Sequence, residues 1–122
     1  MLVIDDEAGL VEFIRRVLEL KGYAVLTEHD GPRAVEVFER EQPQIVLIDV
    51  DLGYSKFDGM EVLKRIKAKE SRAVCLMLSR VTDESARKRA KELGAAKYLL
   101  KPLDTKSLTA AVNQAARLIE RR

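Results

Sequence analysis

The chain has 122 residues, 47% of them apolar and 34% charged, with a formal net charge of +2. That length excludes two domains yet allows a real hydrophobic core, and the charge is too small to argue for nucleic acid. One cysteine, Cys75, excludes an internal disulfide and points to a reducing compartment, and no apolar stretch approaches a membrane span.

Leu2-Val3-Ile4 is a short apolar run that ends in three acids, Asp5-Asp6-Glu7. From Glu7 to Lys21, Leu10, Ile14, Val17 and Leu18 recur at helical spacing, with Gly22 placed to cap the end. Ala24 to His29 reads as a strand with His29 exposed at its end. Asp30-Gly31-Pro32 then opens a helix that carries Ala34, Val35 and Phe38 and stops before Pro43.

Ile45-Val46-Leu47-Ile48 is a run of branched residues typical of a strand buried on both faces. It ends in Asp49 and Asp51. Burying a carboxylate costs several kcal/mol unless it is paired or holds a metal, so an acid at the tip of a core strand calls for a cause. A loop leads to Asp58-Gly59 and a helix from Met60 to Lys69 with Met60, Leu63 and Ile66 inward.

Ala73 to Ser79 is another apolar strand, with Cys75 and Met77 in the core, and it ends in a hydroxyl. Thr82 or Asp83 caps a helix with Ala86, Ala90 and Leu93 on one face, ending at Gly94. Its outer side carries Arg87, Lys88, Arg89 and Lys91, a run that is either solvated or a contact for an acidic partner. Tyr98-Leu99-Leu100 is the last strand and runs into Lys101-Pro102. Asp104 or Thr105 starts a final helix with Leu108, Val112, Ala115 and Ile119 on one stripe.

Five strands alternating with five helices imply a parallel sheet with helices on both faces and right-handed crossovers. In such sheets the crevice lies beyond the carboxyl ends of the strands. Those ends carry Asp5-Asp6, Asp49, Ser79 and Lys101. Converging carboxylates raise one another's pKa unless a cation intervenes. Oxygen ligands without His or Cys point to Mg²⁺, with Mn²⁺ as the alternative. A hydroxyl and an ammonium beside them suit a phosphoryl group, and a carboxylate can attack phosphorus in line.

That ordered set, with Asp58-Gly59 opening the third helix and Gly94-Ala95 before the last strand, resembles the receiver domain of two-component response regulators over essentially the whole chain. The resemblance implies a flavodoxin-like, doubly wound sheet of order 2-1-3-4-5 in a single domain, residues 1–122. It implies that Asp49 takes a phosphoryl group from a histidine kinase or histidine phosphotransfer protein. Asp6 and Asp49, with the backbone carbonyl of Asp51, then hold Mg²⁺, with Asp5 acting directly or through water. Ser79 and Lys101 contact the phosphoryl group, and Tyr98 is the switch aromatic that moves inward with Ser79. The face of helix 4, strand 5 and helix 5 changes in response, towards an output domain or a homodimer through helices 4 and 5. The domain promotes its own phosphorylation and dephosphorylation and is otherwise no enzyme. No direct nucleic-acid or membrane partner is expected, no leader peptide is expected at the start, and the expected location is cytoplasmic.

Several positions depart from the family pattern. Gly53 stands where Pro is usual, and Tyr54-Ser55-Lys56-Phe57 is expected to form an inserted bulge. Asp51 adds an acid where phosphoryl lifetime is tuned. Arg80 follows Ser79 in place of a small residue, to cover the phosphate or to bind it. Two other readings stay open: a degenerate receiver that only docks, and a haloacid-dehalogenase-like phosphatase, whose Asp-x-Asp start Asp49-Val50-Asp51 resembles. In those enzymes the motif follows the first catalytic strand, whereas here it follows the third.

Overall fold

The computed structural model describes residues 1–52, 57–80 and 82–121. Along the chain run β1 (Leu2–Ile4), α1 (Ala8–Leu20), β2 (Leu26–Glu28), α2 (Gly31–Glu41), β3 (Ile45–Asp49), α3 (Gly59–Lys69), β4 (Val74–Ser79), α4 (Glu84–Glu92), β5 (Lys97–Leu100) and α5 (Thr105–Glu120). The strands form one parallel sheet of order β2-β1-β3-β4-β5, the expected architecture.

The unbroken apolar runs of β1, β3 and β4 are explained by burial on both faces of the sheet. Successive side chains point to opposite faces. Leu2, Ile4, Val46, Ile48, Cys75 and Met77 therefore pack under α2, α3 and α4, with Phe38, Leu63 and Ile66. Val3, Ile45, Leu47, Leu76 and Leu78 pack under α1 and α5, with Ile14, Leu18, Leu108 and Val112. Cys75 is fully buried, and that burial pushes its thiol up to about 12, so it is an inert core residue.

Two expectations shift. The strand expected over Ala24 to His29 is only Leu26–Glu28, because its one partner in the ladder, β1, is three residues long. On α1 the buried residues are Val11, Ile14 and Leu18, while Leu10 and Val17 are half-buried on the flanks. Where two caps were open, the aspartates win. Asp83 accepts from the Ser85 N–H and Asp104 from the Ser107 N–H, as Asp30 and Asp58 do for α2 and α3. No helix among the described residues is long and apolar enough to cross a membrane.

Phe38 is 1% exposed at the centre of the α2–α3 side. Phe38→Ala is expected to lower the unfolding free energy by roughly 3–5 kcal/mol in urea titration. A loss near zero would mean that this layer is not a packed core.

Candidate functional site

The alternation that sorts the core also sorts the charges. Carried one residue past β1 and β5, and to the last residue of β3, it places Asp5, Lys101 and Asp49 on the α1–α5 side of the sheet. The contacts bear this out. Lys101 Nζ lies 3.0 Å from Asp5 Oδ2, 3.4 Å from Asp49 Oδ1 and 3.1 Å from Glu7 Oε1. The side chains of Lys101 and Asp49 are each 3% exposed and that of Asp5 is fully buried. Strand pairing delivers these groups: Asp49 stands opposite Leu78 in the β3–β4 ladder, and the Lys101 N–H donates to the Ser79 carbonyl at 2.8 Å.

Ser79 ends β4 on the opposite parity, on the α3–α4 side, and is fully buried. Asp6 is exposed, yet one carboxylate oxygen from each of Asp5, Asp6 and Asp49 falls within 4.8 Å of the others. Backbone amides support the two buried acids. The Glu7 N–H donates to Asp5 Oδ1 at 2.9 Å, and the Asp51 N–H to Asp49 Oδ1 at 3.2 Å. Asp5 Oδ2 has only the ionic contact to Lys101, off the line of a hydrogen bond, and otherwise no partner.

Burial, and next the charge of Asp5, push the Asp49 carboxyl up to about 7; Lys101 and the Asp51 amide oppose the shift without cancelling it. Burial by itself would lower the Lys101 pKa, but Asp5, Glu7 and Asp49 together hold it above its ordinary value. Two buried carboxylates face one ammonium. The crevice is short of positive charge.

Oxygen donors alone, three within reach of one point and one of them a buried oxygen without a hydrogen bond, fit a hard divalent cation such as Mg²⁺.

Glu7 is the contact that the sequence conceals. It precedes α1 as an N-cap without a side-chain cap bond. Instead its carboxylate accepts from Lys101 Nζ on one side and, through both oxygens, from Arg80 Nη2 at 2.8 and 2.9 Å on the other. Those cations, first Lys101 and then Arg80, hold its carboxyl below the usual range. Arg80 is thus tied at the rim of the crevice by an acid 73 positions away. The N-cap position of α1 belongs to Glu7 and not to Asp6.

Tyr98 is half-buried against the α2–α3–α4 core, with the Arg87 guanidinium 5.0 Å from its ring centre. Of the expected bulge, Tyr54, Ser55 and Lys56, with Gly53 before them, lie outside the described residues. Phe57 carries the Arg65 guanidinium 4.4 Å from its ring centre. Gly59 backs onto the Asp49 carbonyl so closely that any Cβ there would collide with it, so Gly59 fixes how α3 seats beneath the acid.

A family model described as "Response regulator receiver domain" matches residues 1–113. The alkaline phosphatase synthesis transcriptional regulatory protein PhoP of Bacillus subtilis is 35% identical over 98% of this chain and 49% of its own length. The probable transcriptional regulator ycf27 of Porphyridium aerugineum is 36% identical over 99% of this chain and 49% of its own. The chain thus spans about half the length of these curated relatives. Among solved structures, the receiver domain of NtrX from Brucella abortus superposes with a TM-score of 0.89 at 25% identity, covering 95% of this chain and 97% of that one. A CheY-like receiver domain protein from Methanospirillum hungatei superposes at 0.91 over 99% and 96%, and at 19% identity it speaks for the fold alone.

The raised Asp49 carboxyl ties stability to pH. The folded state holds this proton up to about 7, whereas the unfolded chain releases it near 3.8. The contribution is therefore fully present below the unfolded value and is lost as pH rises through the folded one. In metal-free buffer above that range, Asp49→Asn is expected to melt roughly 4 °C higher than wild type, the shift that about 1 kcal/mol brings in a domain of this size. In acid the gap should close; a gap independent of pH would show that Asp49 is ionised throughout. Gly59→Ala is expected to cost about 1–3 kcal/mol in urea unfolding, as overpacking against backbone does.

Proposed function

The chain belongs to the response regulator receiver domain family, a family whose general role is phosphoacceptance in two-component signalling, and from that premise we propose that Asp49 is the phosphoacceptor. One observation carries the reading: Lys101, from the far edge of the sheet, reaches Asp49 and Asp5 at once inside a crevice with more buried carboxylates than ammonium groups. The donor is a histidine kinase or a histidine phosphotransfer protein. An Asp49 carboxylate oxygen attacks phosphorus in line, the bond from phosphorus to the donor histidine nitrogen breaks, and the imidazole leaves with the electron pair. Later attack by water breaks the aspartyl–phosphate bond and releases inorganic phosphate. Both steps use the domain's own groups, which is the sense in which it promotes its own phosphorylation and dephosphorylation.

Asp5, Asp6 and Asp49, with the backbone carbonyl of Asp51, would hold Mg²⁺. The ion supplies positive charge against the phosphoryl oxygens when bound. Lys101 turns from its carboxylates to an oxygen of the new phosphoryl group, and Glu7 keeps Arg80 as a partner when it does. The Ser79 hydroxyl donates to a second phosphoryl oxygen. Its displacement makes room for Tyr98 to move inward, and the face of α4, β5 and α5 carries the change. The setting is the cytoplasm, in keeping with the buried thiol of Cys75.

Acetyl phosphate with Mg²⁺ is expected to add one acid-stable, base-labile phosphoryl group, read by intact-protein mass spectrometry. Asp49→Asn should take up none, and Lys101→Ala should slow uptake about 10²-fold or more, as loss of an electrostatic donor does. Equal labelling of wild type and Asp49→Asn would sink the assignment. Mg²⁺ added to the unphosphorylated chain should shift the amide resonances around Asp5, Asp6 and Asp49 to saturation, and chelation should reverse the shifts.

A further inference from the structure

Two charged residues stand just past strand ends, beside the groups that hold the metal and the phosphoryl group in the reading above. Glu7 follows Asp6 after β1, and Arg80 follows Ser79 at the end of β4. Alternation carried one residue past β4 turns Arg80 to the α1–α5 side, where Asp49 and Lys101 lie. There Glu7, Arg80 and Lys101 share the wall of a cleft of about 230 Å³ with Leu10, Phe13 and Leu103. Arg15, Arg16 and Arg65 pair with acids of their own helices, whereas the Arg80–Glu7 pair spans 73 positions.

One carboxylate here serves two cations. Lys101 Nζ is 3.1 Å from Glu7 and 3.0 Å from Asp5, but 3.4 Å from Asp49. The ammonium therefore sits nearer Glu7 than the acid it serves once a phosphoryl group forms there. Arg80 gives Glu7 two hydrogen bonds, at 2.8 and 2.9 Å, both from Nη2. Bonds of this length between ionised partners are the stronger kind. A carboxylate so occupied holds Lys101 less firmly, and it keeps a cation when Lys101 swings away. Without Arg80, no cation besides Lys101 pairs with Glu7 among the described residues, and Lys101 could leave only by stranding it.

We propose that Arg80 is a positioning residue for Lys101: by engaging Glu7, it frees the ammonium to follow a phosphoryl group onto Asp49. The proposal rests on the reading of Asp49 as phosphoacceptor and adds what governs the Lys beside it. Two other roles suit Arg80 less well. Its side chain is 62% exposed, so it does not close the crevice to water. Turning its Nη2 to the phosphoryl group would deprive Glu7 of Arg80 just as Lys101 leaves.

The test is a double-mutant cycle on this chain. Phosphoryl uptake from acetyl phosphate with Mg²⁺ is timed by intact-protein mass spectrometry for wild type, Arg80→Ala, Glu7→Gln and the pair. Arg80→Ala should slow uptake about fivefold, the upper range for an exposed ion pair, and Arg80→Lys should recover most of the rate. With Glu7→Gln already in place, Arg80→Ala should change nothing. A second readout needs neither metal nor phosphoryl donor: the Lys101 side-chain ammonium resonance of the ¹⁵N-labelled chain, identified by its loss in Lys101→Ala. Arg80→Ala should shift that resonance, and should leave it in place once Glu7→Gln is present. Thermal melts report whether each variant is folded. Equal slowing by Arg80→Ala in both backgrounds would mean that Arg80 touches the phosphoryl group or attracts the anionic donor, and would overturn the proposal. So would no slowing at all beside a wild type that takes up the phosphoryl group. No uptake by wild type refutes instead the Asp49 reading.

Discussion

Everything at the carboxyl end of the sheet turns on one ammonium among too many carboxylates. Lys101 touches Asp5, Asp49 and Glu7, and its side chain is almost wholly buried. Removing such charges from water costs several kcal/mol each unless they are well compensated. One Lys cannot compensate two buried acids, and the balance appears as an Asp49 carboxyl held to about 7. The packed core supplies the stability against which this tension is held. A crevice short of positive charge suits a site that gains a cation, which supports the proposed phosphoacceptor role of Asp49.

Parallel pairing is what gathers the groups. In a parallel sheet every strand delivers its last residue to the same edge, so β1, β3, β4 and β5 bring Asp5, Asp49, Ser79 and Lys101 to one crevice across nearly a hundred residues of chain. The same alternation that divides the apolar side chains between two layers puts the acids and the Lys on the α1–α5 side and Ser79 on the other. In the proposed reading a phosphoryl group on Asp49 is thereby flanked from two sides, by an ammonium and by a hydroxyl. A one-residue slip in β5 would reverse this, sending Lys101 to the α4 side. The backbone bond from the Lys101 N–H to the Ser79 carbonyl holds the register where it matters.

Two rim residues, Arg80 and Glu7, meet partners distant in sequence. Arg80, expected to cover the phosphate or to bind it, is paired with Glu7 at the rim of the crevice. Glu7 itself looked like one more acid after β1. The run of cations on α4 looked like a solvated helix face. In the fold Lys88, Arg89 and Lys91 stay exposed, while Arg87 lies against the Tyr98 ring and 3.7 Å from Glu84. Local patterning reports which residues point outward, and the folded surface reports what they meet.

The sequence by itself determined the alternating α/β class, nearly every element within a few residues, the cap candidates of α4 and α5, and the five strand-end groups. Those follow from period, burial and local hydrogen bonding, all of which act over a few residues. Only the tertiary structure decided the contacts made across long stretches of chain. These are the shortened β2 set by its short partner β1, Glu7 bridging Lys101 and Arg80, and the closeness of Gly59 to the Asp49 carbonyl. The physical reason is the same for each. A charge or a backbone approach is settled by whichever neighbours the fold brings to it, and those neighbours lie beyond the reach of local patterning, from Asp49 beside Gly59 to Lys101 beside Glu7.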